Sequence, residues 1–174
     1  MSAFAGAEPF LGRVDEICLV TRDRRRTAEA LARLGVWPWR FMEINPDNTA
    51  EQTYRGKAVP FSIRVGFATV GETVFELMEP MDENSIFAER LNSNGEGLHH
   101  VSFNLNGRPW NERIEAFKAR GFEPVQSGLW MGAVRFAFFD TEAATGMSFE
   151  TYQYPAGWTD PPDQARWRPP ANQP

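Results

Sequence analysis

The sequence contains the same order of predicted elements twice. In each copy a β-strand is followed by a helix and then by three more strands, over residues 13–80 and again over residues 95–155. A repeat of about 70 residues is too small to bury its own sheet, so the two copies must share a core. We therefore predict an α+β fold in which two tandem βαβββ modules form one curved mixed sheet.

The first module is outlined by capping residues and by alternation. Asp23 is a suitable N-cap for a helix that reaches about Leu34, and Gly35 would end that helix. The polar, turn-rich residues 44–59 are interpreted as a surface excursion between strands. Around these segments, β-branched and alternating residues predict four strands: Arg13–Val20, Val36–Glu43, Pro60–Val70 and Thr73–Pro80.

The second module begins in the stretch GEGLHHVSFNL, where a glycine-rich turn leads into a strand that opens at His100. A connecting helix is predicted before it, within residues 81–94, with Asp82 or Asn84 at its start. The other predicted elements are a helix over Arg108–Arg120 and strands over Phe122–Gln126, Ala133–Asp140 and Ser148–Tyr154.

The two ends of the chain lack a periodic pattern. Residues 156–174 form a tail rich in proline and tryptophan, and proline excludes regular helix and central strand. We expect the tail to run extended over the surface and to dock through Trp158 and Trp167, on its own domain or on a partner subunit. Residues 1–12 are interpreted as a leader, with the apolar anchors Phe4, Phe10 and Leu11.

Composition limits the function classes. A net charge of −5 with only two lysines argues against a nucleic-acid surface. No apolar run is long enough to span a membrane, and no secretory signal is recognisable, so we expect a cytoplasmic protein that does not bind membranes. Because Cys18 is the only cysteine, an internal disulfide and a zinc site built from thiolates are excluded. Any metal site has to use nitrogen and oxygen ligands.

Four titratable residues occupy matching positions in the two modules. Glu16 and His100 correspond in the first strands, and Glu76 and Glu150 correspond in the last strands. Each lies on the face opposite the large apolar residues of its strand. Such positions can simply be the solvated side of a two-faced sheet. Pairing of the modules about a pseudo-twofold axis would instead bring all four to one centre.

Three carboxylates and one imidazole at one centre would repel one another and raise the carboxyl pKa values unless a cation lay between them. A single divalent ion resolves this conflict. The hard, sulfur-free ligand set favours Co, Mn, Ni, Zn or Mg. One histidine also departs from the two-histidine, one-carboxylate set of many ferrous oxygenases, which makes oxygen activation a less favoured function.

The duplicated plan and the segments FELMEP, GEGLHHVSF and FETYQYP resemble the vicinal oxygen chelate superfamily of glyoxalases, bleomycin-resistance proteins and extradiol dioxygenases. Within it, the methylmalonyl-CoA epimerase branch is the most similar. The resemblance covers residues 13–155 and implies a glyoxalase-like fold, a small-molecule substrate and, by our expectation, a homodimer. It also implies one divalent metal ion held by Glu16, Glu76, His100 and Glu150. Glu16 departs from the branch, which has histidine there.

Such a centre suits proton transfer next to a carbonyl, because a cation on the carbonyl stabilises the enediolate formed when the α-proton leaves. We expect Glu150 to take this proton and Glu76 or Glu16 to return one. The reaction would then be an epimerisation or isomerisation of an acyl-CoA or another carboxylic substrate. Candidate pocket residues around the centre are Arg64, Trp130, Met131, Arg135, Phe136 and Tyr152.

The candidate pocket residues have plainer alternatives. The aromatic ones can be core residues. Arg135 lies inside the apolar segment AVRFAFF and needs an anionic partner, either a substrate carboxylate or one of the glutamates. Arg64 lies on the strand in which the epimerase branch would carry a second carboxylate base.

Three function classes stay open at the level of sequence. The first is the epimerase or isomerase. The second is a glyoxalase-type lyase acting on a thiol adduct, which the carboxylate-rich ligand set favours. The third is a non-catalytic binder of small molecules, which the aromatic residues and the tryptophan-bearing tail favour. The sequence also leaves open whether the modules pair within one chain or across a dimer.

Overall fold

The computed structural model describes residues 9–159, 161 and 166–170. The strands within these residues are β1 (Val14–Val20), β2 (Trp39–Ile44), β3 (Thr49–Tyr54), β4 (Lys57–Ala58), β5 (Ile63–Val70), β6 (Thr73–Pro80), β7 (Gly97–Phe103), β8 (Pro124–Trp130), β9 (Val134–Phe139), β10 (Ser148–Gln153) and β11 (Arg166–Trp167). The helices are α1 (Arg24–Ala32), α2 (Ile86–Asn94), α3 (Trp110–Lys118) and α4 (Glu142–Thr145).

The strands form one mixed sheet in two similar halves. The first half has the order β2-β5-β6-β1 and the second the order β7-β10-β9-β8. In each half the first strand of the module pairs parallel with the last, β1 with β6 and β7 with β10. The halves are joined by antiparallel pairing of β1 with β7. The predicted α+β fold of two βαβββ modules is confirmed, and the modules pair within one chain.

The starts of α1 and α2 follow from side chains that satisfy free amide groups. The Asp23 carboxylate accepts a hydrogen bond from the Arg26 amide at 3.0 Å, so the predicted cap of α1 is confirmed. For α2, the predicted start at Asp82 or Asn84 is wrong, because the cap is Ser85. The Asp82 carboxylate is occupied elsewhere: it accepts from the amides of Ser62 and Asn84.

The interpretation of residues 44–59 as a surface excursion is wrong in part, because β3 and β4 lie there. β3 pairs antiparallel with β8 and so extends the second half of the sheet with a strand from the first module. Its sequence, TAEQTY, has no apolar alternation. The strand is anchored by Gln52, whose buried side-chain amide bonds to both backbone groups of Phe61.

The described parts of both ends dock on the same domain. Phe10 and Leu11 pack on a cluster around Phe117, whereas the predicted anchor Phe4 lies outside the described residues. The ring of Trp158 lies 5.7 Å from that of Trp130. Farther along the tail, β11 pairs antiparallel with β2 at the edge of the sheet, which a proline-rich segment can do without entering its centre.

The two faces of the sheet are covered differently. On β1, Ile17 and Leu19 point away from the face that carries Glu16 and Cys18. Leu19 packs in a cluster with Ala28 of α1. We call the opposite face, which carries Glu16 and Cys18, the inner face. None of the helices within the described residues has the length and apolar character needed to cross a bilayer.

Candidate metal centre

Strand register brings the four predicted ligands to the middle of the inner face. Cys18 is the direct partner of Glu76 on one side and of His100 on the other. Two residues farther along these strands, Ser102 is the direct partner of Glu16 and of Glu150. Direct partners in a sheet point to the same face. The four predicted ligands therefore lie on the inner face of four adjacent strands: Glu76 on β6, Glu16 on β1, His100 on β7 and Glu150 on β10.

The side chains of these residues converge. The Nε2 atom of His100 lies 3.0 Å from Oε2 of Glu76 and 3.2 Å from Oε2 of Glu150. One carboxylate oxygen from each of Glu16, Glu76 and Glu150 lies within 4.8 Å of the others. All four residues are buried, and none is more than 5% exposed. The solvated-face alternative does not apply to these positions.

Three atoms of the cluster are buried without a hydrogen bond of acceptable geometry to any described residue: Oε1 of Glu16, Oε2 of Glu76 and Nε2 of His100. Leaving a buried acceptor unpaired costs about 1–3 kcal/mol, and more for a charged group. A divalent cation would satisfy all three at once. The residues present therefore fit the oxygen and nitrogen ligand set of such an ion.

The orientation of the His100 ring is set by its neighbour in sequence. Nδ1 of His100 lies 2.8 Å from Nδ1 of His99. Burial lowers the pKa of His99 well below its ordinary value, and the His100 charge lowers it further, so His99 is neutral and can accept a hydrogen bond from Nδ1 of His100. This contact leaves Nε2 of His100 directed at the carboxylates, as a metal-binding imidazole requires.

The pKa values of the cluster show that ionised carboxylates are unfavourable in this buried site. Burial raises the pKa of Glu16 well above its ordinary value, and repulsion by Glu76 and Glu150 adds to the shift. Burial also raises the pKa of Glu150. Burial alone would lower the pKa of His100, but the carboxylates of Glu150 and Glu76 raise it to about 9. A buried cluster of carboxylates therefore favours positive charge among them, which a divalent ion would supply.

Cys18 is a residue of the centre that the sequence argument set aside. Its Sγ atom, a carboxylate oxygen of Glu76 and a ring nitrogen of His100 lie within 4.8 Å of one another. Burial raises the thiol pKa well above its ordinary value, and the Glu76 carboxylate raises it further, so the sulfur is a neutral thiol. The signal was its spacing: Cys18 is two residues from Glu16 and therefore on the same face of β1.

A mostly apolar pocket opens over the cluster. Of the predicted pocket residues, Trp130, Phe136 and Tyr152 line it. Two polar residues not predicted from sequence, Arg40 and Tyr154, line it as well. Burial raises the pKa values of Tyr152 and Tyr154, so both phenols stay neutral and can donate hydrogen bonds. The other described lining residues besides Glu16, Glu76 and Glu150 are Met42, Ile44, Ile63, Phe67, Met78, Phe87, Val134 and Phe138.

Two predicted pocket arginines lie on the other face of the sheet. Arg64 lies between Ile63 and Val65 on β5 and forms ion pairs with Glu43 and Glu79. Arg135 lies between the pocket residues Val134 and Phe136 on β9, so its side chain points away from the pocket.

The anionic partner expected for Arg135 exists, but it is Glu51, at 3.3 Å, and neither a ligand glutamate nor a substrate. Met131 is half exposed and is not among the described residues that line the pocket. The structure thus brings Trp130, Phe136 and Tyr152 to the cluster and leaves Arg64, Met131 and Arg135 outside it.

Comparison with known families agrees with this arrangement. The model of the Glyoxalase/Bleomycin resistance protein/Dioxygenase superfamily matches residues 15–138, which is most of the chain. The chain belongs to this superfamily. The superfamily resemblance inferred from the repeated modules is therefore confirmed. No curated protein sequence gives a significant match.

Solved structures of epimerases are similar to this superfamily member in fold. Methylmalonyl-CoA epimerase from Mycobacterium tuberculosis is 19% identical with a TM-score of 0.61, over 88% of this chain and 96% of that one. A methylmalonyl-CoA epimerase solved with methylmalonyl-CoA and NH4+ is 20% identical with a TM-score of 0.59, over 84% of this chain and 96% of that one. A Streptomyces coelicolor variant with 2-nitronate-propionyl-CoA is 21% identical with a TM-score of 0.60, over 84% and 99%. At these identities the likeness concerns the fold.

Proposed function

We propose that this member of the superfamily is a divalent-metal-dependent enzyme that transfers a proton at the carbon next to a carbonyl, as an epimerase or isomerase. The observation that carries the proposal is the convergence of the buried side chains of Glu16, Glu76, His100 and Glu150 beneath an apolar pocket. The structural neighbours support it, because they are named as methylmalonyl-CoA epimerases and one holds methylmalonyl-CoA.

The four clustered residues would hold the metal ion, which is Co, Mn, Ni, Zn or Mg. His100 would contribute Nε2, and Glu16, Glu76 and Glu150 would each contribute a carboxylate oxygen. When bound, the cation would stabilise the negative charge that develops on the carbonyl oxygen of the substrate.

The carboxylates also supply the proton chemistry. Both Ser102 and His100 contact Oε2 of Glu150, which leaves Oε1 as the oxygen that takes the α-proton. Glu76, whose Oε2 lies 3.0 Å from Nε2 of His100, would carry a proton on its other oxygen and return it to the opposite face of the carbon, with Glu16 as the alternative donor. Each turnover would leave Glu150 protonated and the donor ionised, so one proton passes from Glu150 to water and one from water to the donor before the next cycle. Two carboxyl groups in opposite protonation states are what a reaction that removes and replaces one proton requires.

The pocket wall would exclude water and position the substrate. Phe87, Phe138 and Met78 surround the carboxylates with apolar surface, which strengthens electrostatic interactions inside the site. We propose that Trp130 contacts the body of the substrate and that the neutral phenol of Tyr152 donates a hydrogen bond to it. Arg64 and Arg135 have no part in this proposal, because their side chains bind acidic residues on the other face.

Deuterium exchange tests the proposal directly. The purified protein is loaded separately with each of the five metals and incubated with methylmalonyl-CoA in deuterated water, and the loss of the α-proton signal is followed by NMR. We expect exchange that a chelator abolishes and that falls at least about a hundredfold in Glu150→Gln. Glu112→Gln, an exposed site on α3, is the matched control. Exchange that survives both the chelator and Glu150→Gln would contradict the proposal.

A second substrate, tested beside methylmalonyl-CoA, separates the other function classes. Turnover of a glutathione hemithioacetal, but not of methylmalonyl-CoA, would identify a lyase. Binding without any exchange would identify a non-catalytic binder. Homodimer assembly and a cytoplasmic location stay predictions.

A further inference from the structure

The strand that carries His100 contains one residue more than its neighbour at this place. Cys18 of β1 pairs with His100, and the next residue, Leu19, pairs with Leu98, so His99 is an extra residue in β7. In a regular strand, consecutive side chains point to opposite faces of the sheet. A β-bulge breaks this alternation and can turn a side chain in a new direction. The bulge therefore explains why the rings of two consecutive residues, His99 and His100, meet.

The two rings meet through the same atom in a dry environment. Nδ1 of His99 lies 2.8 Å from Nδ1 of His100, and the two residues are 3% and 0% exposed. The ring of Phe87 lies against both, with its centre 4.8 Å from that of His99 and 6.0 Å from that of His100. A single proton must lie between the two nitrogens, because two protons would collide and a contact without a proton would leave both atoms unpaired.

The owner of this proton decides whether His100 can bind a metal ion. If His99 donates, Nδ1 of His100 has to be bare, and the neutral His100 ring then carries its proton on Nε2. That proton would occupy the nitrogen that faces Glu76 and Glu150. If His100 donates instead, its Nε2 atom keeps a lone pair for an ion.

The first residue of α2 selects between these two cases. The backbone of Ile86 forms a hydrogen bond with the His99 side chain. The Ile86 amide donates to Oε1 of Gln126 at 2.9 Å, so the Ile86 carbonyl is the group that accepts from His99. Since Nδ1 of His99 contacts His100, the nitrogen that donates to Ile86 is Nε2. Burial favours a neutral ring with one proton, so Nδ1 of His99 is bare and can only accept.

We propose that His99 is a positioning residue of the metal centre, which fixes the tautomer of His100 through hydrogen bonds that run from His100 to His99 and from His99 to Ile86. The inference rests on the proposed function, in which His100 binds the ion. The bulge and α2 then belong to the centre. The bulge brings His99 to His100, and the carbonyl at the start of α2 determines which nitrogen of His99 accepts.

Nuclear magnetic resonance of the full-length protein tests the tautomers directly. The chain has only two histidines, so histidine labelled with 15N gives four ring-nitrogen signals. Long-range 1H–15N spectra distinguish protonated, bare and metal-bound nitrogens, and they are recorded without metal and with Zn. We expect the His99 proton on Nε2 in both forms and, with Zn, the His100 proton on Nδ1. A His99 proton on Nδ1 would overturn the proposal.

Two variants of His99 separate hydrogen bonding from packing. His99→Phe keeps a ring but removes the acceptor, and we expect its affinity for Zn to fall about 10–100-fold, as is typical for residues that orient a metal ligand. His99→Asn is the matched variant, because its side-chain oxygen can occupy the place of Nδ1, and it should recover most of the affinity. Competition with a chelating dye measures both affinities.

Zn affinity of His99→Phe equal to that of the wild type would overturn the positioning role. An equal loss in His99→Phe and His99→Asn would assign the effect to packing and overturn it as well. The wild-type spectra need no substitution, so they carry the test even if His99→Phe fails to fold.

The positioning role and the proposed function fail in distinguishable ways. If the metal-free spectra show the predicted His99 tautomer but the wild type binds no divalent ion, the order of the hydrogen bonds stands and the proposed metal enzyme is wrong. If metal-dependent α-proton exchange occurs but His99→Phe binds Zn as the wild type does, the reaction stands and the role of His99 is overturned.

Discussion

The buried hydroxyl of Ser102 donates a hydrogen bond to Oε2 of Glu150, its direct partner in the neighbouring strand. Ser102 corresponds by position to Cys18, because each lies two residues after a predicted ligand in the first strand of its module. Cys18 in turn is the direct partner of Glu76. Each last-strand carboxylate therefore has a small polar side chain of the neighbouring strand beside it, which restricts how the carboxylate can turn.

Removal of the Ser102 hydroxyl should weaken metal binding. Residues that orient metal ligands typically change affinity by about 10–100-fold when replaced, so we expect Ser102→Ala to lose about tenfold or more in affinity for Mn or Co. Ser127→Ala is the matched control, since Ser127 lies on β8 and its hydroxyl bonds to that of Thr53. Equal metal affinity of the two variants in a calorimetric titration would show that the hydroxyl does not orient Glu150.

The thiol of Cys18 should be unreactive in the folded protein. It is fully buried, and both burial and the Glu76 carboxylate raise its pKa, whereas the thiolate is the form that alkylating reagents attack. We expect iodoacetamide to label Cys18 only after denaturation, with or without metal, as followed by mass spectrometry. Rapid labelling of the native protein would contradict the buried position of Cys18 beside Glu76.

Stability of the metal-free protein should fall as pH rises. The pKa of His100 is raised from 6.5 to about 9, so its contribution to the unfolding free energy is complete below pH 6.5 and is lost as pH rises through about 9. Glu16 and Glu150 also have raised pKa values and change stability in the same direction. Urea denaturation at several pH values, with chelator and with saturating metal, measures this difference.

Comparison of the unfolding free energies with and without metal removes the contribution of all other titratable groups, because these groups titrate alike in both forms. Metal ligands must be deprotonated, so the gain in stability on adding metal should increase with pH over the same interval. A gain that is independent of pH would show that these residues do not bind the ion.

Neutralising Glu16 should stabilise the metal-free protein but weaken the binding of the metal ion. In Glu16→Gln the cost of burying an ionisable carboxyl disappears together with its repulsion by Glu76 and Glu150, so the metal-free protein should gain stability on the order of 1 kcal/mol at neutral pH. Metal affinity should fall about tenfold or more, because a charged ligand is lost. Thermal unfolding and metal titration measure the two effects, with Glu112→Gln as the exposed control. A variant that loses stability in both forms would assign Glu16 a packing role only.

The repeated order of elements could be predicted from sequence because each strand alternates and Asp23 offers a local cap. β3 could not, because its polar residues are ordered by pairing with the distant β8. The start of α2 at Ser85 was equally ambiguous, since Asp82, Asn84 and Ser85 are all good caps and long-range contacts decide between them.

The convergence of the four residues could be predicted because the two modules repeat the same order of elements, so a position in one copy indicates its counterpart in the other. The arginine that lines the pocket, Arg40, could not be identified in this way. Alternation has a period of two, so Arg135 and Phe136 cannot both face the pocket, and sequence does not tell which face of β9 is inner. The same ambiguity concealed Arg40, which lies between the apolar residues Trp39 and Phe41 on β2.

An anomalous-scattering map of crystals grown with Co or Mn, recorded at the absorption edge of the metal, would show whether one ion binds between the four clustered residues. We expect one strong peak on the inner face, within coordination distance of Nε2 of His100 and of oxygens from Glu76, Glu150 and Glu16. A map without a peak at this position, or with the ion bound only by other residues, would contradict this expectation.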